Sequence, residues 1–163
     1  MSEPTDDIRA FLAERRYATL ATQNRDGTIH LTPVWFLFDG ERFCFESFSG
    51  SRKVNNLRRN PTASVVVDAR PAGRERWVSA SGSAEIIGGD EAQAMNSAIR
   101  RRYLTPEALD DSRIEPAFAA SDDVTIMLVP TSWRSWSAED LDAQFFGGIL
   151  GATPERWFLP LDV

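Results

Sequence analysis

The densest chemistry in the chain lies in one short stretch, SFSGSRKVNNLRRNP, residues 47–61. It brings four cations together, Arg52, Lys53, Arg58 and Arg59, in a protein whose formal net charge is -6. Ser51 is placed to cap a helix over about 52–59, because a serine oxygen accepts an orphan amide of the first turn. Val54 and Leu57 would face the core. Pro61 ends the helix by pushing the residue before it out of the α region. Cations at a helix start run against the helix dipole, which favours anions there. Small residues, Ser47, Ser49 and Gly50, precede them and leave room beside the backbone. A hydroxyl, free amides and two cations at one helix start make a socket for a phosphate. The plainer reading is a solvated basic face, whose surface ion pairs are each worth at most about 1 kcal/mol. That reading suits Arg58 and Arg59, which sit where the dipole welcomes positive charge.

Other chemistries find little support. His30 is the single histidine and Cys44 the single cysteine. A tetrahedral Cys/His zinc site and an intrachain disulfide are therefore excluded, and a reducing cytoplasm fits. His30 reads as a structural residue on a strand. Cys44 alternates with Phe43 and Phe45 and reads as a packed thiol. G-x-S-x-G, Walker and G-x-G-x-x-G patterns are absent. An acidic chain is a poor general binder of nucleic acid, where most affinity comes from neutralising phosphates. No apolar run approaches the roughly 20 residues that span a bilayer, and MSEPTDDIRA lacks the layout of a signal peptide. The 163 residues, 42% hydrophobic and 26% charged, suit one soluble domain over 1–163.

The elements that must position the basic stretch follow from periodicity. Ile8, Phe11 and Leu12 mark an amphipathic helix over 6–16. Strands are expected over 17–23, 29–38 and 42–47, joined by turns at Asp26-Gly27 and Asp39-Gly40. Pro33, inside the second of these, calls for an edge or a bulge. The third should be half-buried. Strands over 62–69 and 77–87 follow, then a helix with Asp90 as its cap and a second helical stretch over 105–119. The last clear strand spans 123–136 and is broken near Pro130. The tail, 137–163, reads as irregular with short regular pieces. Hairpins with few crossover helices suggest a small β-barrel with helices outside.

The run HLTPVWFLFDGERFCFESFSGSRKVNNLRRNPTASVVV resembles the core of the pyridoxamine 5′-phosphate oxidase-like flavin and deazaflavin oxidoreductases. The resemblance extends over about 17–136, and its specific features are PVWF, a DG hairpin, SRK and NP in that order. It implies a mainly β fold with flanking helices, a six-stranded antiparallel FMN-binding split barrel, acting as a homodimer with the cofactor groove at the interface. It also implies cofactor-binding positions. Ser51, Arg52 and Lys53 would hold a phosphate, with Ser47 near the phosphate or ribityl chain. Pro33, Val34, Trp35 and Phe36 would run along the ring. Asn56 and Arg58 are lesser positions on the same helix, and Trp136 would approach the partner subunit's cofactor. The deazaflavin coenzyme F-420 is favoured and FMN comes next. The implied activity is hydride transfer to a small conjugated or unsaturated substrate. The alternative is a non-catalytic protein that binds or stores a flavin, haem or tetrapyrrole. No residue is assigned a catalytic role, since the cofactor carries the reaction. The sequence lacks the arginine and histidine near the C-terminus that bind pyridoxal phosphate in the oxidase itself, so activity on pyridoxamine phosphate is not expected.

Overall fold

The computed structural model describes residues 3–160. Helix α1 (Asp6–Ala13) buries Ile8, Phe11 and Leu12, and is capped by Thr5, whose hydroxyl accepts from the Ile8 N–H at 3.3 Å. Strands β1 (Ala18–Gln23) and β2 (Ile29–Val34) pair through the Asp26-Gly27 turn, where Gly27 takes φ 86°. Strands β3 (Leu37–Phe38) and β4 (Phe43–Phe48) pair through Asp39-Gly40, with Gly40 at φ 104°. Helix α2 (Arg52–Arg59) leads into strands β5 (Thr62–Ala69) and β6 (Arg76–Ile87). Three helices follow: α3 (Gly89–Tyr103), α4 (Pro106–Leu109) and α5 (Glu115–Ala120). Strand β7 (Asp123–Ser137) completes the sheet, and the tail forms α6 (Ala138–Phe145), α7 (Ile149–Ala152) and α8 (Pro154–Trp157).

The seven strands form one antiparallel sheet in the order β2-β1-β5-β6-β7-β4-β3. Its outer strands, β2 and β3, are separated in sequence only by Trp35 and Phe36. The three Cα steps from Val34 to Leu37 span at most about 11 Å, so the sheet must curl until its edges approach. The result is a split barrel. Its interior packs Leu20, Phe36, Phe43, Phe45, Val65 and Leu128, each at most 2% exposed. Val54 and Leu57 of α2 join this core.

The barrel has seven strands where the sequence suggested six, because the expected strand over 29–38 is two. Phe36 turns into the core, and Trp35 turns out to stack on Tyr103, with ring centroids 5.0 Å apart and planes 3° apart. The Phe36 N–H, lost from the ladder, donates to the Tyr103 hydroxyl at 3.2 Å, so the break leaves that buried donor paired. Pro33 sits on an edge strand, where a missing N–H costs least. Strand β4 is buried on both faces rather than one. Its outward Cys44 packs against Ile99 of α3 and Met127 of β7, beneath a helix the periodicity of β4 could not reveal.

Strand β7 is one strand over its whole length, but its pairing with β6 is irregular beside Pro130 as expected: Ser81 faces Ser132 and Gly82 faces Pro130, so Thr131 is left over as a bulge. A Cβ on Gly82 would lie 1.9 Å from the Val129 carbonyl oxygen. Only glycine permits that approach. Helix α3 begins after Gly88, ahead of the expected Asp90 cap, and Asp90 and Glu91 instead place negative charge in its first turn.

Candidate functional site

A cleft of about 500 Å³ opens between the end of β2, strand β4, the start of α2 and the inner side of α5. Pro33, Val34 and Trp35 form one wall, Ala117 and Phe118 another. Tyr17 and Phe48 border it with large exposed rings. The polar lining is Glu46, Ser47, Lys53, Ser121 and Asp123. A mostly apolar cleft with a few convergent polar groups is the usual form of a cofactor or small-molecule site.

Local sequence explains how the helix start is shaped. Ser51 caps α2, its Oγ accepting from the Val54 N–H at 3.4 Å and lying 2.8 Å from Ser47 Oγ. The preceding loop turns back on itself through the Ser51 N–H, which donates to the Phe48 carbonyl at 3.0 Å. Arg58 reaches back from the last turn of α2 and donates to the Ser49 carbonyl at 2.8 Å. Arg58 therefore holds the loop, and Arg59 likewise donates to the Gln23 carbonyl. Arg52 is exposed and is not among the residues lining the cleft; it lies close enough to Asp26 of the β1–β2 turn to lower that carboxyl's pKa slightly, after the larger effect of the Thr28 hydrogen bonds.

Lys53 is different. It lines the cleft half-buried, and no ion pair or hydrogen bond from the described residues reaches its ammonium. Burial pushes its pKa below the ordinary lysine value, with no acidic neighbour pulling the other way. An uncompensated cation beside two hydroxyls and a helix N-terminus is an arrangement an anion would relieve.

The far end of the cleft is acidic and tightly built. Arg100 of α3, 5% exposed, donates through Nε to Glu46 Oε1 at 2.7 Å and through Nη2 to Asp123 Oδ2 at 2.9 Å. Nη2 also donates to Glu46 Oε1, and the Ser121 hydroxyl donates to Asp123 Oδ2. The guanidinium carbon lies 4.0 Å from the centroid of the Phe118 ring, a cation–π contact that ties α5 to the triad. Two carboxylates face one guanidinium. Burial, more than the Asp123 charge, pushes the Glu46 pKa up, and Arg100 only partly offsets it.

The structure brings Pro33, Val34, Trp35, Ser47 and Lys53 to the cleft, with Ser51 directly behind Ser47. Phe36 is in the barrel core, and its backbone alone faces Tyr103. Asn56 is buried under α2 and donates to Thr22 Oγ1 at 3.1 Å and Asn24 Oδ1 at 3.0 Å, tying the helix to β1. Trp136 lies 13 residues along β7 from Asp123, about 40 Å of strand, beside Trp77 and the tail and outside the cleft. His30 pairs with Thr32 at 2.8 Å and Cys44 is buried, so neither joins the site. Residues the sequence did not single out complete it. Tyr103 fixes Trp35, and Glu46, Arg100, Phe118, Ser121 and Asp123 build the acidic end. They come from β4, α3, the end of α5 and β7, and only the folded chain shows their convergence.

A family model for pyridoxamine 5′-phosphate oxidase matches residues 4–136. The chain belongs to that family. A biliverdin reductase from Mycobacterium tuberculosis that depends on reduced coenzyme F-420 is 34% identical over 107 residues, 63% of this chain and 74% of that protein. The fold superposes on a conserved hypothetical protein from Mycobacterium tuberculosis with a TM-score of 0.71 at 30% identity, covering 86% of this chain and 89% of the other. It superposes on a protein described as an F-420 reductase with a TM-score of 0.65 at 28% identity, covering 80% and 98%. This member of the oxidase family thus combines the split barrel with a cleft that has a basic and an acidic end.

Proposed function

We propose that the cleft binds a flavin-type cofactor, the deazaflavin F-420 ahead of FMN, and that the protein is a reductase of small conjugated or unsaturated molecules. The observation that carries this reading is Lys53, a half-buried cation without a partner among the described residues, at the capped start of α2. The preference for F-420 rests on the relatives whose names specify that coenzyme.

The residues fit such a group. Lys53, the Ser47 and Ser51 hydroxyls and the first amides of α2 would hold its phosphate, with Arg52 adding charge from the exposed side. Asn56 and Arg58 act one step back by fixing the helix and its loop. Pro33, Val34, Trp35 and the Phe36 backbone would border the ring, and Tyr103 keeps Trp35 in one orientation. Ala117 and Phe118 would exclude water from the opposite side. When bound, the cofactor supplies the hydride; the chain supplies binding, orientation and a dry wall.

We further propose a homodimer, in which Trp136 approaches the partner subunit's cofactor. Ile29 and Leu31 of β2, 60% and 63% exposed, form an outward apolar row that continues to Pro33 at the cleft. Such a row is a common mark of an interface.

The experiment is a fluorescence titration of cofactor-stripped protein with FMN and F-420, followed by addition of reducible conjugated acceptors to the reduced complex. Micromolar or tighter binding and oxidation of the reduced coenzyme on adding an acceptor are expected. Binding with no turnover on any acceptor would make this a storage protein, and no binding would end the reading.

A further inference from the structure

Reduction of a conjugated bond needs a proton as well as a hydride. Four side chains lining the cleft can titrate: Tyr17, Glu46, Lys53 and Asp123. Tyr17 is 65% exposed at the rim. Lys53 belongs to the basic end. Asp123 is taken up by Arg100 and Ser121. Glu46 remains. Arg100 engages its Oε1, and Oε2 receives no donor from the described residues.

We propose that Glu46 is the proton donor of the reduction, held in place by Arg100 and backed by Asp123. This rests on the reductase reading above. The hydride of the reduced cofactor forms the new C–H bond at one end of the conjugated bond. The π electron pair moves to the other end, which takes the proton from Glu46. The cofactor is oxidised by two electrons, the substrate is reduced by two, and the Glu46 carboxylate recovers its proton from water at the cleft mouth.

The surroundings favour a proton on Glu46. One guanidinium faces two carboxyl groups, and a buried site with an excess negative charge tends to hold a shared proton. The charged groups that act on Glu46 are Arg100 from α3 and Asp123 from β7, while Lys53 from α2 and Tyr17 ahead of β1 line the same cleft farther off. Burial raises its pKa most, the Arg100 bonds and charge lower it, and the Asp123 charge and a hydrogen bond shared with Asp123 raise it again, with the rise prevailing.

The test uses Glu46→Gln, whose amide oxygen can still accept from Arg100, and Glu46→Asp, which keeps an acid. Cofactor affinity of Glu46→Gln should stay within about 2-fold of wild type. Its single-turnover rate of substrate reduction should fall about 100-fold or more, the usual share of a general acid. The wild-type rate should fall as pH rises through the Glu46 midpoint, Glu46→Asp should keep such a fall, and Glu46→Gln should lose it. A second readout needs neither cofactor nor substrate. Carbon NMR of the glutamate carboxyls should show Glu46 titrating above the usual value of about 4.3. A normal midpoint, or a Glu46→Gln enzyme as fast as wild type, would overturn the proposal. Wild-type protein that binds no cofactor would instead overturn the reductase reading, and the carboxyl titration would still judge Glu46.

Discussion

Replacing Lys53 by methionine should change binding and stability in opposite directions. The methionine keeps most of the side-chain volume and removes the ammonium. If Lys53 holds a phosphate, the variant loses a charge-assisted hydrogen bond worth about 1.5–3 kcal/mol, or about 10- to 150-fold in cofactor affinity. The cofactor-free protein should be as stable as wild type or more so, because the wild-type charge is half-buried with nothing among the described residues to offset it. The sign with pH follows. The folded pKa lies below the unfolded one, so burying the charge is a full penalty near neutral pH. That penalty disappears as pH rises through the lowered folded value towards the unfolded value of about 10.4. The advantage of the methionine variant should therefore be largest near neutrality and vanish in alkali. Saturating cofactor should reverse it by stabilising wild type more. Fluorescence titrations and thermal melts across that pH range read both effects. Unchanged affinity in a folded variant, or a melt several degrees lower at neutral pH, would mean that Lys53 is structural and the phosphate socket is wrong.

Arg100→Ala leaves Glu46 and Asp123 buried without their cation, so it should cost about 3–5 kcal/mol in urea unfolding. Tyr103→Phe keeps the ring stack on Trp35 but removes the bond from the Phe36 N–H and the one donated to the Arg16 carbonyl at 2.5 Å. A loss of about 1–3 kcal/mol is expected by the same assay. Gly82→Ala forces its new methyl group against the Val129 carbonyl and should cost at least the roughly 1–3 kcal/mol of overpacking, seen as a lower melting temperature. Cys44, buried with its thiol pushed up to about 11 mainly by desolvation, should resist thiol reagents at mildly alkaline pH until the protein unfolds.

Much of this molecule can be read from its sequence because local signals and global fold agree. The Ser51 cap and the helix over 52–59 are specified by residues within one turn of each other, and β5 is bounded by Pro61 and the polar stretch that follows. The DG turns needed only glycines at positive φ. The misreadings have distant causes. The break at Trp35 and Phe36 depends on Tyr103, 67 residues away from Phe36, which satisfies the freed N–H and stacks on the indole. The burial of the outward face of β4 at Cys44 depends on α3 covering it. The irregularity at Pro130 was legible, but its form, a bulge at Thr131 with the strand continuing beyond it, goes with the close approach that Gly82 allows on the facing strand. The site divides in the same way. Its basic end is contiguous in sequence and was legible; its acidic end joins Glu46, Arg100 and Asp123 across three elements, and no spacing rule connects them.

The most direct test of the cofactor site is a crystal structure of the protein soaked or grown with F-420 or FMN. The cofactor phosphate should lie within hydrogen-bonding distance of Lys53 Nζ and the Ser47–Ser51 hydroxyls, with the ring between Trp35 and Phe118. A ring in that place with its phosphate elsewhere, or a cofactor bound outside the cleft, would contradict a phosphate socket at the start of α2.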